Sequence, residues 1–266
     1  MKTRTVQTVC FSPTRTTKRL VAAVAAGLGA ASVKDWDLTL RGAQAPVFSG
    51  EAGEIAVIGV PVYAGRVPAV AVQRLRTIQG RGALAVLVVT YGNRHYDDAL
   101  IELADLSREL GFVPVAGGAF VAEHSFSTPE LPVAQGRPDA SDSDKATAFG
   151  RQTAAKILAL ASATDGVELE VPGNRPYKEG WNKPPLKPLL DERLCTACGE
   201  CAAVCPVGAI SINGVATTDD TLCIVCAACI RACPSQGRSF MGTPIAELNQ
   251  KLNTHFSTRR EPELFF

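Results

Sequence analysis

The first 160 residues alternate continuous apolar blocks with amphipathic stretches, and this alternation predicts the fold. Five stretches are predicted β-strands, of which the third and fourth are continuous apolar blocks: residues 5–11, 32–40, 55–60, 84–89 and 112–121. The third and fourth blocks contain no polar side chain, which is typical of strands buried on both faces of a parallel sheet. Helices are predicted directly after the first strand and at residues 67–79, 97–110 and 143–162. The expected fold class is therefore α/β, with a doubly wound five-stranded parallel sheet.

The loops that follow the predicted strands carry an unusual share of the ring-bearing residues. Ligands of doubly wound sheets bind outside the carboxyl ends of the strands. Three of the four tyrosines and two of the three histidines lie there: Tyr63, Tyr91, Tyr96, His95 and His124. Rings and hydrogen-bond donors at one sheet edge favour a pocket for a flat aromatic ligand. The alternative is that these side chains simply occupy exposed loops.

A hydroxyl-rich turn, residues 12–17, connects the first strand to the helix that follows it. This order of strand, turn and helix places backbone N–H groups at a helix N-terminus, where the helix dipole favours an anion. Arg15, Lys18 and Arg19 lie at the same end, where cations are unfavourable. A bound phosphate would resolve that conflict. An ordinary helix cap, with the basic side chains extended into water, is the alternative.

Eight of the nine cysteines form a duplicated pattern in the second half of the chain. Each half is spaced C-x2-C-x2-C-x3-C and is followed by proline, and the second half lies 28 residues after the first. The spacing resembles that of bacterial two-cluster ferredoxins, in which the fourth cysteine of each run ligates the other cluster. The resemblance implies two [4Fe-4S] clusters, one held by Cys195, Cys198, Cys201 and Cys233 and the other by Cys223, Cys226, Cys229 and Cys205. A zinc site and disulfides are the alternatives, and both fit the spacing or the compartment less well.

Composition narrows the function classes. With 27 basic and 26 acidic residues the net charge is +1, which gives no support for nucleic-acid or membrane-surface binding. No apolar run approaches the roughly 18 residues of a membrane helix, and residues 1–10 lack the pattern of a signal peptide. The expected location is the reduced cytoplasm, which suits eight thiols kept for metal. The ninth cysteine, Cys10, is expected to be a buried core residue.

Four segments are predicted: residues 1–165 as the α/β domain, 166–188 as a proline-rich basic linker, 189–238 as a small α+β two-cluster domain, and 239–266 as a C-terminal helix and tail. The linker is expected to be extended and to lie against the acidic cysteine-rich domain. The apolar end of the tail, residues 264–266, is expected to pack on the α/β domain or across a homodimer. Residues 123–142 lack periodicity and are expected to act as a lid.

The whole chain resembles fusions of a flavodoxin-like domain with a bacterial-type two-cluster ferredoxin domain, which are found largely in anaerobic microbes. The resemblance is carried by residues 11–14 (FSPT), 61–68 (PVYAGRVP), 89–94 (VTYGNR), 123–125 (EHS) and 259–265 (RREPELF). It implies FMN as a further cofactor. By position, the phosphate of FMN would be held by Ser12, Thr14, Thr16 and Thr17, with help from the backbone N–H groups of Arg15 and Thr16.

The loops after the third and fourth strands match those that flank the flavin ring in flavodoxins. The ring-contacting residues that the resemblance implies are Pro61, Val62, Tyr63, Ala64, Gly65, Thr90, Tyr91, Gly92, Asn93, His95 and Tyr96. One position departs from the family, because Arg15 stands where a flavodoxin loop has glycine. Arg15 either strains the turn and crowds the phosphate or pairs with the phosphate through its guanidinium.

These expectations combine into an electron-transfer iron–sulfur flavoprotein, which passes single electrons between two clusters and FMN and exchanges them with redox partner proteins. A second hypothesis is a reductase of a small quinone-like acceptor, with His95, His124 or Tyr91 supplying protons. A third is a flavin-free redox sensor or a docking subunit of a larger complex. No dinucleotide-binding pattern opens a helix, so direct oxidation of NAD(P)H is not expected.

Overall fold

The structure is a computed structural model and describes residues 5–49, 53–160, 168–180 and 185–266. Its strands are β1 (Thr5–Cys10), β2 (Ser32–Asp37), β3 (Glu54–Pro61), β4 (Leu84–Tyr91), β5 (Val113–Val121), β6 (Leu189–Leu190), β7 (Ile210–Asn213), β8 (Val215–Thr218), β9 (Arg238–Ser239) and β10 (Glu263–Phe265). Its α-helices are α1 (Thr16–Gly27), α2 (Ala69–Leu75), α3 (Ala99–Glu109), α4 (Ala140–Ala159), α5 (Glu200–Ala203), α6 (Ala228–Arg231) and α7 (Pro244–His255). A 3₁₀ turn occupies Glu192–Leu194.

The central sheet has the strand order β10-β5-β4-β3-β1-β2. The five predicted strands, β1 to β5, are all parallel, and their order is that of a doubly wound sheet with its switch point between β1 and β3. The predicted α/β fold class is therefore confirmed. The sheet also has a sixth strand, β10, which pairs antiparallel with β5 and comes from the C-terminal tail.

The core explains why the apolar blocks form strands. All eight residues of β4 are buried, and its two faces contribute to two different clusters of buried side chains. One cluster packs under α2 and α3, and the other packs under α1 and α4. Because helices cover both faces, a strand at the centre of the sheet meets apolar neighbours on each side, and a run without polar residues is favoured.

The C-terminal tail packs on the α/β domain, which is the first of the two arrangements expected for it. In β10, Glu263 pairs with Ala119 and Phe265 with Gly117 of β5. The rings of Phe149 and Phe266 lie 5.4 Å apart, so the tail also contacts α4. The added strand covers the edge of β5, which would otherwise present unpaired backbone groups.

The linker lies against α3 of the α/β domain over residues 174–178. Arg175 pairs with Asp105 of α3 (2.6 Å), and Lys178 pairs with Asp97 (2.8 Å). Buried Asp98 accepts hydrogen bonds from the backbone of Asn174 (2.8 Å) and of Lys178 (2.7 Å). The expectation that the basic linker lies on the cysteine-rich domain was wrong for this stretch, because the acidic groups that attract it belong to α3 and its N-terminal turn. Residues 161–167 and 181–184 of the predicted domain end and linker lie outside the described residues.

The segment between β5 and α4, which was expected to be a lid, is held from outside by α7. Asn249 donates to the carbonyl of Leu131 (3.2 Å), and Asn253 donates to the carbonyl of Pro132 (2.7 Å).

None of the helices in the described residues combines the length and the apolar character that crossing a bilayer requires.

Helices α1 and α4 approach each other closely at two glycines. A Cβ on Gly150 would overlap the carbonyl oxygen of Val24 and come within 2.9 Å of the Cα of Gly27. A Cβ on Gly27 would come within 2.9 Å of the Cα of Gly150. This contact sets the position of α1, whose N-terminus faces the edge of the sheet described below.

Replacing Gly150 with alanine is expected to lower the free energy of unfolding by about 1–3 kcal/mol, because the new methyl group overlaps backbone atoms. Alanine inside a helix normally adds about 1 kcal/mol, so a net loss can be assigned to the overlap. Gly180→Ala is the control, since a Cβ there meets no atom of the described residues within 4 Å. Chemical denaturation measures the free energy of unfolding of both variants. A denaturation midpoint of Gly150→Ala equal to that of the wild type would contradict the close packing of α1 and α4.

Candidate functional site

A cavity of about 290 Å³ opens where β3, β4 and β5 end. This is the edge at which doubly wound sheets bind their ligands. Loops that follow β1, β3, β4 and β5 line it, so the structure brings together the loops that the sequence singled out. Of the predicted flavin-binding residues, the lining contains Thr14, Thr16, Pro61, Val62, Tyr63, Ala64, Gly65, Thr90, Tyr91, Gly92 and His95.

The turn before α1 presents unpaired donors at one end of this cavity. The N–H of Arg15 donates to the carbonyl of Ser12 (3.0 Å), and Ser12 Oγ accepts from the N–H of Lys18 (3.1 Å). Within the described parts of the chain, the N–H groups of Thr14, Thr16 and Thr17 donate to no residue. The hydroxyls of Thr14 and Thr16 lie 3.3 Å apart. Free N–H groups and hydroxyls at a helix N-terminus form a donor set that suits a phosphate.

Arg15 adopts a left-handed conformation, with φ of 67°, so the turn has the backbone shape for which glycine is normally used. Its guanidinium turns away from the cavity toward Asp37 (3.4 Å) and is largely exposed. Lys18 pairs with Asp35 (2.6 Å) and Asp37 (3.3 Å). The unfavourable placement of cations at the start of α1 is therefore compensated by the carboxylates of Asp35 and Asp37 at the end of β2. Of the two outcomes open for Arg15, the structure shows the strained turn and no guanidinium in the cavity.

Two hydroxyls along the cavity wall are buried without a partner. Thr90 Oγ1 and the phenol oxygen of Tyr91 accept and donate no hydrogen bond within the described residues. Burial raises the pKa of Tyr91, so its phenol stays protonated and able to donate. Buried hydroxyls without partners are uncommon in folded proteins. Both residues line the cavity, where the Tyr91 ring and the neighbouring loops form an aromatic wall that suits a flat ring system.

Two of the predicted ring-contacting residues, Asn93 and Tyr96, instead hold the C-terminal segment. The Asn93 side-chain amide donates to the carbonyls of Phe256 (2.5 Å) and Thr258 (2.8 Å). The Tyr96 hydroxyl donates to Glu263 (2.6 Å), and the burial of Tyr96 raises the pKa of its phenol. Neither residue lines the cavity, and neither do Ser12, Arg15 or Thr17, which belong to the turn and the first turn of α1.

The eight duplicated cysteines surround two further small cavities in the second half of the chain. Cys195, Cys198, Cys201 and Cys233 line one of them, and Cys205, Cys223, Cys226 and Cys229 line the other. Each cavity thus collects three cysteines of one repeat and the fourth of the other, which is the grouping expected for two clusters. The thiols surround a space instead of meeting at one point. Among the described residues, no group of three or more His, Cys, Asp or Glu side chains is close enough to hold a single metal ion.

The surroundings of these thiols suit a cluster. Backbone N–H groups donate to sulfur, from Ala209 to Cys205 (3.2 Å) and from Val225 to Cys223 (3.4 Å). Burial raises the pKa of the Cys226 thiol and raises that of Cys229 to about 11. Thiols in this state ionise at neutral pH only when a metal replaces the proton. Four cysteines around a cavity, with N–H donors aimed at sulfur, therefore fit an iron–sulfur cluster.

Comparison with known proteins supports this reading of the cysteines. The family of 4Fe-4S binding domains matches residues 188–211. No curated protein matches the chain with significance. The family match supports at least one [4Fe-4S] cluster in this part of the chain.

Solved structures resemble a little over half of the chain. An oxidoreductase from Corynebacterium diphtheriae is 18% identical, with a TM-score of 0.42, over 60% of this chain and 100% of that one. A flavodoxin from the domain Archaea is 15% identical, with a TM-score of 0.39, over 58% of this chain and 99% of that one. Rubredoxin oxygen:oxidoreductase from Desulfovibrio gigas is 13% identical, with a TM-score of 0.41, over 59% of this chain. The matched region spans only 37% of the Desulfovibrio protein.

The order of the parallel strands, 2-1-3-4-5, is that of flavodoxin-like sheets. The chain joins a flavodoxin-like domain to a ferredoxin segment. In broad class it is an iron–sulfur electron-transfer protein. The flavodoxin-like domain contains β1 to β5. Residues 188–240, which include both cysteine repeats, are called the ferredoxin segment, and the family match covers residues 188–211 of it.

The ferredoxin segment and α7 line one part of the cavity of the flavodoxin-like domain. Ile224 and Val225, which lie between the first two cysteines of the second repeat, form part of its wall, together with Leu248 and Leu252 of α7. Sequence reasoning missed these four residues. A signal was present, because the equivalent positions of the first repeat hold Thr196 and Ala197 in place of the bulkier apolar pair.

Polar and aromatic contacts fix the ferredoxin segment on the flavodoxin-like domain. Arg231 of α6 donates to Glu123 (3.1 Å) and to the carbonyl of His124 (3.3 Å). The rings of Phe126 and Phe240 meet edge to face at 5.4 Å. Arg74 of α2 donates to the carbonyl of Pro206, which follows the first cysteine repeat. The parts of the segment that carry the first and the second repeat are therefore both attached to the flavodoxin-like domain.

His124 lines the cavity as a neutral ring. It packs against Gly92, where a Cβ would overlap the imidazole. Its Nδ1 accepts a hydrogen bond from the N–H of Phe126 (3.1 Å), which leaves the proton on Nε2. Burial, together with the positive charges of Arg94 and Arg231, lowers the pKa of His124 to about 4. The ring can therefore donate a hydrogen bond from Nε2 but carries almost no extra proton at neutral pH.

Histidine ¹⁵N NMR of the oxidised protein is expected to show His124 as the neutral Nε2–H form from pH 8 down to pH 5, because its pKa lies near 4. The unfolded state binds a proton below about pH 6.5, so the free energy of unfolding falls as the pH drops toward 4, by on the order of 2 to 3 kcal/mol. Arg231→Met removes one of the cations and should raise the midpoint. A wild-type midpoint near 6.5 would contradict the burial of the ring.

Proposed function

We propose that this chain carries electrons between two [4Fe-4S] clusters and an FMN held in the cavity of the flavodoxin-like domain. The clusters would supply single electrons, and FMN would supply the exchange between one-electron and two-electron chemistry. The observation that carries the proposal is the shared wall, since the loop that contains Cys223 and Cys226 also lines the cavity through Ile224 and Val225.

The proposal places one cluster beside the flavin. Tyr63 lines the cavity, and its pKa is raised well above the usual value by burial and by the neighbouring thiols of Cys226 and Cys223. A single side chain therefore borders both the flavin cavity and the cluster site of the second repeat. Cys198 of the other site is exposed, whereas Cys226 and Cys229 are buried. This favours Cys195, Cys198, Cys201 and Cys233 as the site nearer to external partner proteins.

The FMN phosphate is assigned to the turn before α1. The backbone N–H groups of Thr14, Thr16 and Thr17 and the hydroxyls of Thr14 and Thr16 are the donors available there. Ser12 Oγ already accepts a hydrogen bond from Lys18, so it stabilises the turn, and its own proton stays free to donate. The flavin ring would then lie along Tyr91, Gly92 and His124, with its polar rim near Thr90.

A reductase that binds a small acceptor beside the flavin is less well supported. Small-molecule sites occupy about 300–1,000 Å³, and the cavity of about 290 Å³ is at the lower limit for one ring system. His124 was a candidate proton donor, but a group with a pKa near 4 is a poor general acid at neutral pH. The position of Ile224 and Val225 in the wall, beside the second cysteine repeat, favours exchange of electrons with a cluster.

Thr16→Ala is expected to weaken FMN binding by about tenfold, because one charge-assisted hydrogen bond to phosphate contributes about 1.5 kcal/mol or more. Riboflavin lacks the phosphate, so its affinity should be the same for wild type and variant. Arg15→Gly is the matched control in the same turn and should keep FMN affinity, since the Arg15 guanidinium faces Asp37. Fluorescence titration gives each affinity. An equal loss of affinity for FMN and for riboflavin in Thr16→Ala would contradict the assignment of the FMN phosphate to this turn.

Cys226→Ala is expected to remove the cluster nearest the cavity and to slow reduction of bound flavin by more than tenfold, at unchanged FMN content. Cys10→Ala is the control, because Cys10 is buried in β1 with a pKa of about 12 and belongs to neither cluster site. Anaerobic stopped-flow mixing with a reduced protein donor follows the flavin absorbance, and EPR and iron analysis count the clusters. Wild-type rates in the Cys226 variant would rule out the proposed route. Protein without FMN or with far fewer than eight irons would rule out the function itself.

A further inference from the structure

A buried arginine lies between the two cysteine-lined cavities. Arg238 follows the second cysteine repeat in β9 and is only 3% exposed. Its Nη1 donates to the hydroxyl of Thr218 (3.0 Å), while its Nε and Nη2 are buried without a hydrogen-bond partner. Within the described residues, no carboxylate lies within ion-pair distance of Arg238.

The surroundings of Arg238 belong to both cluster sites. Its side chain lines the cavity of Cys195, Cys198, Cys201 and Cys233. Thr218, its hydrogen-bond partner, lines the cavity of the other four cysteines. The guanidinium therefore lies at the border between the two cysteine-lined cavities.

An unpaired buried cation of this kind is strongly unfavourable. Moving one charge out of water costs several kcal/mol, even after the surrounding protein relaxes, unless an anion and hydrogen-bond acceptors compensate it. Arginine cannot avoid the cost by losing its proton, because its pKa lies above about 12. The compensating groups near Arg238 are cysteines, so the arrangement requires them to carry negative charge. Thiolates bound to iron, with the sulfides of a cluster, meet that requirement.

The internal repeat shows that this cation is present on one side only. The residue 28 positions before Arg238 is Ile210, and Ile210 lines the cavity of Cys205, Cys223, Cys226 and Cys229. The two positions correspond in the duplicated pattern, yet one supplies an apolar side chain and the other a permanent positive charge. The cluster spacing alone does not require arginine at this position.

We propose that Arg238 is a positioning residue that makes the clusters easier to reduce, by placing a fixed positive charge and two N–H donors beside their sulfurs. Reduction adds negative charge to a cluster, and a nearby cation in a low-dielectric interior stabilises the reduced form more than the oxidised one. Hydrogen bonds to sulfur act in the same direction. This inference rests on the two-cluster assignment proposed above but requires neither FMN nor a partner protein.

The test is an EPR-monitored redox titration of the full-length, anaerobically reconstituted protein. Arg238→Ile copies the residue of the other repeat and is expected to shift the cluster midpoint potentials to more negative values at unchanged iron content. Arg238→Lys keeps the charge and should retain most of the wild-type potential. Ile210→Val is the matched control and should leave the potentials unchanged. Because arginine does not titrate, the shift should be the same at pH 7 and pH 8.5.

Arg238→Ile protein with eight irons and wild-type potentials would overturn the inference. If Arg238→Ile protein does not retain its clusters, Arg238→Gln is measured instead, because this variant removes the charge but keeps an N–H donor. Wild-type potentials in Arg238→Gln protein would also overturn the inference. If the midpoint potentials of Arg238→Lys are as low as those of Arg238→Ile, the effect of Arg238 on the potentials does not come from its charge. Fewer than eight irons in the wild type would instead contradict the two-cluster assignment, which separates the two failures.

Discussion

The contact between the second cysteine repeat and the edge of the parallel sheet is the constraint on which both candidate sites depend. Ile224 and Val225 line the large cavity and also the small cavity of Cys223 and Cys226. Moving this loop would therefore change both cavities together. The Arg231–Glu123 pair, the Phe126–Phe240 contact and the hydrogen bond from Arg74 to Pro206 hold this part of the chain on the flavodoxin-like domain.

Local patterns in the sequence predict most of the architecture. Runs without polar residues specify the buried strands because both sheet faces are covered, and the resemblance to two-cluster ferredoxins implies the grouping of cysteines around the two small cavities. The first helix and its hydroxyl-rich turn could also be located, since a helix begins where a strand ends. These features depend on neighbours within a few residues, or on a repeat that the sequence shows directly.

The features that escaped prediction depend on pairings between distant residues. Asn93 and Tyr96 lie in the expected loop, but their partners, residues 256–263, follow about 160 residues later. The cations at the start of α1 are paired with Asp35 and Asp37, which nothing in the turn itself indicates. Residues 174–178 of the linker were misplaced for the same reason, because total charge does not tell which acidic surface a basic segment meets, whereas Lys187 at the end of the linker does contact Thr218 and Asp220. Arg238 could have been noticed by aligning the two repeats, where it replaces isoleucine.

The cavity wall also has a consequence for biosynthesis. The loops of the flavodoxin-like domain are complete once residue 126 has been made, but the remaining residues that line the cavity lie between 224 and 252. During translation the loops of the flavodoxin-like domain that line the cavity therefore emerge before the second cysteine repeat and α7. Under the proposed function, iron would compensate the buried thiols of that repeat, so cluster assembly would complete this part of the cavity wall.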